Sequence, residues 1–253
     1  MTSCLDVSTL FGQAVQPRLF IDFDGTISEI DVIDAILAKF ADERWLETEK
    51  EWLEGRIGSR ECLRIQFSYL DVTPDELTAY LDTLTIDRGF LSIVDLCRRQ
   101  STGVHIISDG FGEYIGRMLD RHISDPVERA LISVSANSLA YVGRGKWTTS
   151  FPYFDKICPD GCATCKPAVM RLNCPHEAAA IFIGDGMSDR FAAGAADFVF
   201  AKSKLAELCI ANKIAHVSYR KLDDVADQLR PLYETARAHA SDLSASLKEA
   251  FSQ

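Results

Sequence analysis

Leu19-Phe20-Ile21-Asp22-Phe23-Asp24-Gly25-Thr26 is the stretch on which the reading of the fold turns. Its three leading apolar residues read as a strand buried on both faces, so the two carboxylates that follow stand at a strand's C-terminal end. In an open α/β sheet that edge is where ligands bind. Two acids so close repel each other unless a cation or a shared proton relieves them. A hard divalent metal such as Mg²⁺ answers that need, because it prefers oxygen ligands and keeps part of its coordination for water and phosphate. Ile181-Phe182-Ile183-Gly184-Asp185-Gly186-Met187-Ser188-Asp189 repeats the design, with an apolar strand, a glycine-flanked turn and two more carboxylates.

Between these stretches the pattern alternates. Asp31 to about Leu84 reads as several helices: an apolar spacing over Asp31 to Leu37, another over Ser59 to Leu70, and a helix start at Thr73-Pro74-Asp75-Glu76 with Pro at the first helical position. Regular alternation then resumes with a helix near Gly89 to Arg99, a strand Val104 to Ile107 and a helix from about Gly112 to Arg121. Alternating apolar residues over Leu131 to Trp147, with the turn Gly143-Arg144-Gly145, imply a small antiparallel hairpin. Strands at Ala180 to Ile183, Phe198 to Phe200 and Ala215 to Val217 are each followed by helical sequence, and Arg220 to Gln253 reads as an amphipathic helix with a polar tail. Such alternation implies a mainly parallel sheet covered on both faces.

Composition narrows the function classes. The chain has 253 residues, 47% hydrophobic and 25% charged, ordinary for a globular protein, with a formal net charge of −10. That charge disfavours nucleic acid as a partner, since backbone phosphates demand clustered Lys and Arg. No apolar stretch approaches a membrane span, and the N-terminus lacks a basic segment followed by an apolar run, so a cytoplasmic protein is expected. Of eight cysteines, Cys4, Cys62, Cys97 and Cys209 are dispersed, as reduced thiols in a cytosolic enzyme would be.

Two further elements complete a phosphoryl-transfer site. Ile106-Ile107-Ser108-Asp109-Gly110 ends a strand with a hydroxyl and a glycine turn whose N–H groups suit a phosphate oxygen, and Lys166 offers an ammonium to the same phosphate. Singly, Asp-Gly-Thr and Gly-Asp-Gly are most often mere turns after strands. The order acid pair, Ser, Lys, acid pair resembles the four motifs of the haloacid dehalogenase superfamily, which would thus span Asp22 to Asp189. The resemblance implies a Rossmann-like three-layer core and an Mg²⁺-dependent phosphatase acting on a small phosphorylated metabolite. It casts Asp22 as the nucleophile that forms an aspartyl-phosphate and Asp24 as acid and then base. Asp22, the Asp24 carbonyl and Asp185 are cast as Mg²⁺ ligands, with Asp189 positioning a metal-bound water or Lys166. Thr26, Ser108, Asp109 and Lys166 fall at the phosphate, Thr26 also orienting its loop.

The helical segment after the first motif resembles the cap of the phosphoserine phosphatase-like branch. The expected division is a core of residues 1–27 and 89–253, with a hairpin insertion at about 130–160, and a helical cap of residues 28–88. Phosphoserine phosphatases usually have Ser where Gly25 stands and Glu where Asp31 stands. Asp31 reads either as a substrate contact or as a carboxylate favoured by the helix dipole, and Arg64 either as a substrate-carboxylate clamp or as a solvated helix residue. Cys158-Pro159-Asp160-Gly161-Cys162-Ala163-Thr164-Cys165-Lys166, with Ser108-Asp109-Gly110-Phe111, is similar to the group containing 2-hydroxy-3-keto-5-methylthiopentenyl-1-phosphate phosphatase of methionine salvage.

Cys158, Cys162 and Cys165 are candidate ligands for a structural Zn²⁺, with Cys174 or His176 as the fourth, and equally readable as reduced thiols or a local disulfide. Trp45, Trp52, Phe67 and Tyr69 read as packing residues of the cap, one or two of them available to a pocket. His105 and His122 read as structural. A phosphotransferase, or a phosphate-binding sensor without turnover, is the competing reading, and the oligomeric state, a homodimer included, is left open.

Overall fold

The computed structural model describes residues 17–231 and 233. Seven strands, β1 (Arg18–Ile21), β2 (Val104–Phe111), β3 (Ile132–Gly143), β4 (Lys146–Ser150), β5 (Ala180–Gly184), β6 (Phe198–Ala201) and β7 (Val217–Ser218), form one sheet in the order β4-β3-β2-β1-β5-β6-β7. Every neighbouring pair is parallel except β3 with β4. Side chains alternate across a strand, and both faces are apolar: Leu19 and Ile21 enter one core cluster while Phe20 enters the other. The fold is therefore the α/β, Rossmann-like, mainly parallel sheet that the alternation implies.

From β1 the chain builds outward to one side through β2, then returns to pair β5 against β1's other edge. This reversal opens a crevice at the C-terminal ends of β1 and β5. β2 runs further than the sequence implies. Ile107 pairs with Ser135 and Phe111 with Asn137, so Ser108, Asp109 and Gly110 form a bulge inside the strand, and bulges re-aim side chains. The antiparallel hairpin occurs at β3 and β4, and the first half of β3 is also a parallel strand of the main sheet.

Four helices, α1 (Val32–Phe40), α2 (Trp45–Leu53), α3 (Ser59–Ser68) and α4 (Pro74–Leu81), lie between β1 and α5 (Gly89–Arg99). Asp31 caps α1 by accepting from the Asp34 amide, and Thr73 and Glu76 form a reciprocal capping box on α4. Helix α2 has Thr48 as its single buried residue, so its apolar spacing is weak. The two ends of the helical segment pair with each other: Glu29 N donates to Thr85 O at 3.2 Å, Asp87 N to Ile27 O at 2.8 Å, and Ser28 bridges Ile86. The hairpin supports the segment's far side, Trp147 Nε1 donating to Val72 O and Lys146 Nζ to Leu70 O, each at 2.9 Å.

The remaining helices are α6 (Gly112–His122), α7 (Pro126–Ala130), α8 (Lys166–Asn173), α9 (Arg190–Ala195) and α10 (Ser203–Ala211). Residues 222–231 are helical, and the rest of the expected C-terminal stretch lies outside the described residues, as does Cys4. Among the described residues, no helix is long and apolar enough to cross a membrane.

Candidate active site

Asp22 continues the β1 ladder by donating its amide to Ile183 O at 2.9 Å, which fixes it beside the end of β5. Lys166, the first residue of α8, reaches into the same place. Its Nζ donates to Asp22 Oδ1 at 2.7 Å and to Asp189 Oδ1 at 2.5 Å. All three side chains are buried. Burial alone would depress the ammonium; the carboxylates of Asp189 and Asp22 reverse that and hold it above its ordinary value. Asp22 is itself raised, first by burial and then by the charge of Asp189.

Asp189 engages both of its oxygens, since Oδ2 accepts from the amides of Asp185 and Gly186 at 3.0 Å each. It thus orients Lys166 and the turn after β5. Asp185 accepts from Thr26 Oγ1 at 2.8 Å, and burial with the Asp189 charge raises its carboxyl to about 6. Asp22 and Asp185 each keep one oxygen outside these bonds. Ligand atoms of Asp22, Asp185 and Asp189 lie within 4.8 Å of one another, a hard-oxygen set that fits Mg²⁺. The fully buried Thr26 therefore touches a carboxylate of that set, where the sequence reading also expected it at phosphate.

Asp24 faces the other way, toward Ser108 Oγ, which donates to its Oδ2 at 3.0 Å, and toward Tyr114 Oη, which donates to both its oxygens at 2.9 Å. Burial, followed by the charge of Asp31, pushes the Asp24 carboxyl up to about 8 against these hydrogen bonds. The Asp109 side chain lines the cavity and is held from two sides. Its carboxylate accepts from Ser59 Oγ at 2.8 Å and from the Thr164 amide at 2.9 Å, tying the β2 bulge to α3 and to the loop before Lys166.

A cavity of about 120 Å³ lies over these groups. Its floor includes Asp22, Asp24 and Asp185, and its helical wall includes Asp31, Asp34, Glu49 and Trp52. Asp31 both caps α1 and lines the cavity, reachable by water yet surrounded by protein. Burial, then the charge of Asp34, raises it to about 6.

In two places where the sequence left alternatives open, the geometry supports one of them. Arg64 is exposed and pairs with Glu61 one turn earlier on α3, Nη2 to Oε1 at 2.6 Å, away from the cavity lining. The three thiols do not gather into a zinc site: among the described residues, Asp22, Asp185 and Asp189 are the one group of three or more acid, His or Cys side chains close enough to share an ion. Cys158, Cys162 and Cys165 are free thiols, and burial pushes Cys162 up to about 12, against the thiolate that zinc needs. The sequence reading missed Tyr114, Ser59 and Thr164. Tyr114 was discoverable in part, because it lies four residues beyond Gly110 on the apolar face of α6.

A match to the haloacid dehalogenase-like hydrolase family spans residues 19–193. The chain is 31% identical over 216 residues to a protein of Geobacillus thermodenitrificans (strain NG80-2) named 2-hydroxy-3-keto-5-methylthiopentenyl-1-phosphate phosphatase, covering 85% of this chain and 96% of that one. A protein of the same name from Brevibacillus brevis (strain 47 / JCM 6285 / NBRC 100599) is 30% identical over 82% of this chain and 92% of its own length. Among solved structures, a substrate-bound phosphoserine phosphatase complex superposes with a TM-score of 0.62 at 18% identity, covering 85% of this chain and 99% of that one. That last likeness concerns the fold. With its match covering well over half of the sequence and its relatives aligned almost end to end, the chain belongs to the haloacid dehalogenase-like hydrolases.

Proposed function

We propose that the protein is an Mg²⁺-dependent phosphomonoesterase working through an aspartyl-phosphate on Asp22. The observation that carries this reading is the buried bracket in which one ammonium, Lys166, joins Asp189 to Asp22, the member of the three that lines the cavity. Asp22 attacks phosphorus, forming an Oδ–P bond as the bond to the leaving oxygen breaks, and Asp24 gives that oxygen its proton. A carboxyl raised to about 8 still holds a proton at neutral pH, which supports this role. In the second half, Asp24 takes a proton from water as its oxygen attacks the phosphoryl group, freeing inorganic phosphate and Asp22. Lys166 and Ser108 hold the phosphoryl oxygens. Asp22 and Asp185 side chains, with the Asp24 carbonyl, hold Mg²⁺, which when bound neutralises charge on the phosphoryl group.

Residues 28–88 serve as a cap over residues 1–27 and 89–253, closing around a small phosphorylated metabolite. The names of the relatives make 2-hydroxy-3-keto-5-methylthiopentenyl-1-phosphate the first substrate to try. Among the described residues no arginine lines the cavity to meet the carboxylate of phosphoserine, which places it second. The test is phosphate release from these two esters and from aryl phosphates, with Mg²⁺ or chelator. Hydrolysis that needs Mg²⁺ and disappears in Asp22→Asn is expected; turnover unchanged in that variant would sink the mechanism.

A further inference from the structure

Asp24 is gripped by three donors from three elements. Ser108 Oγ in the β2 bulge reaches Oδ2 at 3.0 Å, the Val32 amide at the start of α1 reaches Oδ1 at 3.3 Å, and Tyr114 Oη on α6 reaches both oxygens at 2.9 Å. Tyr114 is 2% exposed, and its ring is held between those of Phe23 and Phe111, with centroids 6.2 Å away on each side. Gly110 is shaped to the same pair, because a Cβ there would overlap both Tyr114 Oη and Asp24 Oδ2.

Counting hydrogens separates the roles of the two hydroxyls. Ser108 has one hydroxyl proton, and that proton points at Asp24 while the oxygen accepts from the Gly110 amide at 2.8 Å. Donating to a phosphoryl oxygen takes that proton away from Asp24. Neither hydroxyl is in the cavity lining, but Tyr114 Oη reaches both oxygens of Asp24 where Ser108 Oγ reaches one.

We propose that Tyr114 is the positioning residue of Asp24, holding the carboxyl in place by its hydroxyl while Ser108 turns to the phosphoryl group. The inference rests on the reading of Asp24 as proton donor to the leaving oxygen. A carboxyl freed to rotate reaches that oxygen less often, so the loss falls on esters whose leaving group needs the proton and spares those that leave well unaided.

The experiment compares phenyl phosphate with 4-nitrophenyl phosphate, at saturating Mg²⁺, in the parent protein, Tyr114→Phe, Asp24→Asn and the double variant. Tyr114→Phe is expected to lower kcat for phenyl phosphate by roughly 10- to 100-fold, to lower it much less for the nitrophenyl ester, to leave KM unchanged, and to add little on top of Asp24→Asn. Equal losses on both esters, or a full further loss in the double variant, would overturn the proposal and leave Tyr114 a packing residue. If Asp24→Asn itself treats the two esters alike, or the parent turns over neither, the underlying reading of the site fails instead and takes the proposal with it. Should Tyr114→Phe fail to fold, Gly110→Ala presses the same pair apart with the tyrosine intact. The same selective loss is expected there, and parent-like selectivity would overturn the proposal.

Discussion

Lys166 Nζ donates to Asp22 Oδ1 across 2.7 Å, and the lysine side chain is 1% exposed. An ammonium so deeply buried exists because two carboxylates face it, and the converse holds too. Lys166→Met, close in volume but without charge, leaves Asp22 and Asp189 unpaired and is expected to cost about 3–5 kcal/mol of stability. The loss should be smaller at pH 5 than at pH 8, because the stranded acids can take up protons. Denaturant unfolding at the two pH values tests this, and equal losses would speak against the pairing.

The raised carboxyls fix the sign of the metal-free protein's pH dependence. Asp24 titrates near 8, and Asp31 and Asp185 near 6, against an ordinary value of 3.8. In that window the folded chain binds more protons than the unfolded one, so stability from these groups is full at acid pH and is lost as pH rises through 6 toward 8. The unfolding temperature in chelator should therefore fall between pH 5 and pH 8. Added Mg²⁺ should raise it more at pH 8, where its ligands are already ionised. A metal response independent of pH would count against the carboxylate site.

Thr26 holds Asp185 by a hydrogen bond of 2.8 Å. Thr26→Val removes the hydroxyl at nearly constant shape and frees the carboxylate to turn. The Mg²⁺ concentration giving half-maximal activity should rise about 10-fold or more, the usual cost of losing a ligand's supporting partner, while turnover at saturating Mg²⁺ changes less. A Mg²⁺ titration of the variant decides it.

Gly58 at the start of α3 lies against the backbone of Asp160 and Gly161, and an added Cβ would overlap carbonyl oxygens of both. Gly58→Ala should push the Ser59 hydroxyl off Asp109 and cost about 1–3 kcal/mol. Saturation kinetics should show a raised KM, because the cavity wall moves with α3. Arg64→Ala should leave kinetics alone, its charge being paired with Glu61 at the surface.

The parts of this molecule that repeat along the chain were readable without coordinates. Strand β1 announces itself by Leu19-Phe20-Ile21, and α4 by Thr73, Pro74 and Glu76, since burial and capping leave marks on neighbouring residues. Asp22, Asp185, Asp189 and Lys166 are legible for the same reason, each standing at the edge of a recognisable strand or helix. Relations between distant segments leave no such mark. Nothing near Ser59 signals that its hydroxyl meets Asp109, 50 residues on, whereas the pairing of Arg64 with Glu61, one turn back on the same helix, lay within reach of the sequence. The choice among the readings of the cysteines was left open because short spacing in sequence does not determine where side chains point once the loop before α8 has folded.

Because Ser28 pairs with Ile86, the helical segment leaves the sheet and rejoins it at one spot. A piece of chain whose two ends meet can be exchanged for another with ends equally close, and the strands beneath it need not rearrange. On the proposed reading of residues 28–88 as a cap, chemistry and choice of substrate would be written in separable stretches of one gene, so that the first could stay fixed while the second is rewritten.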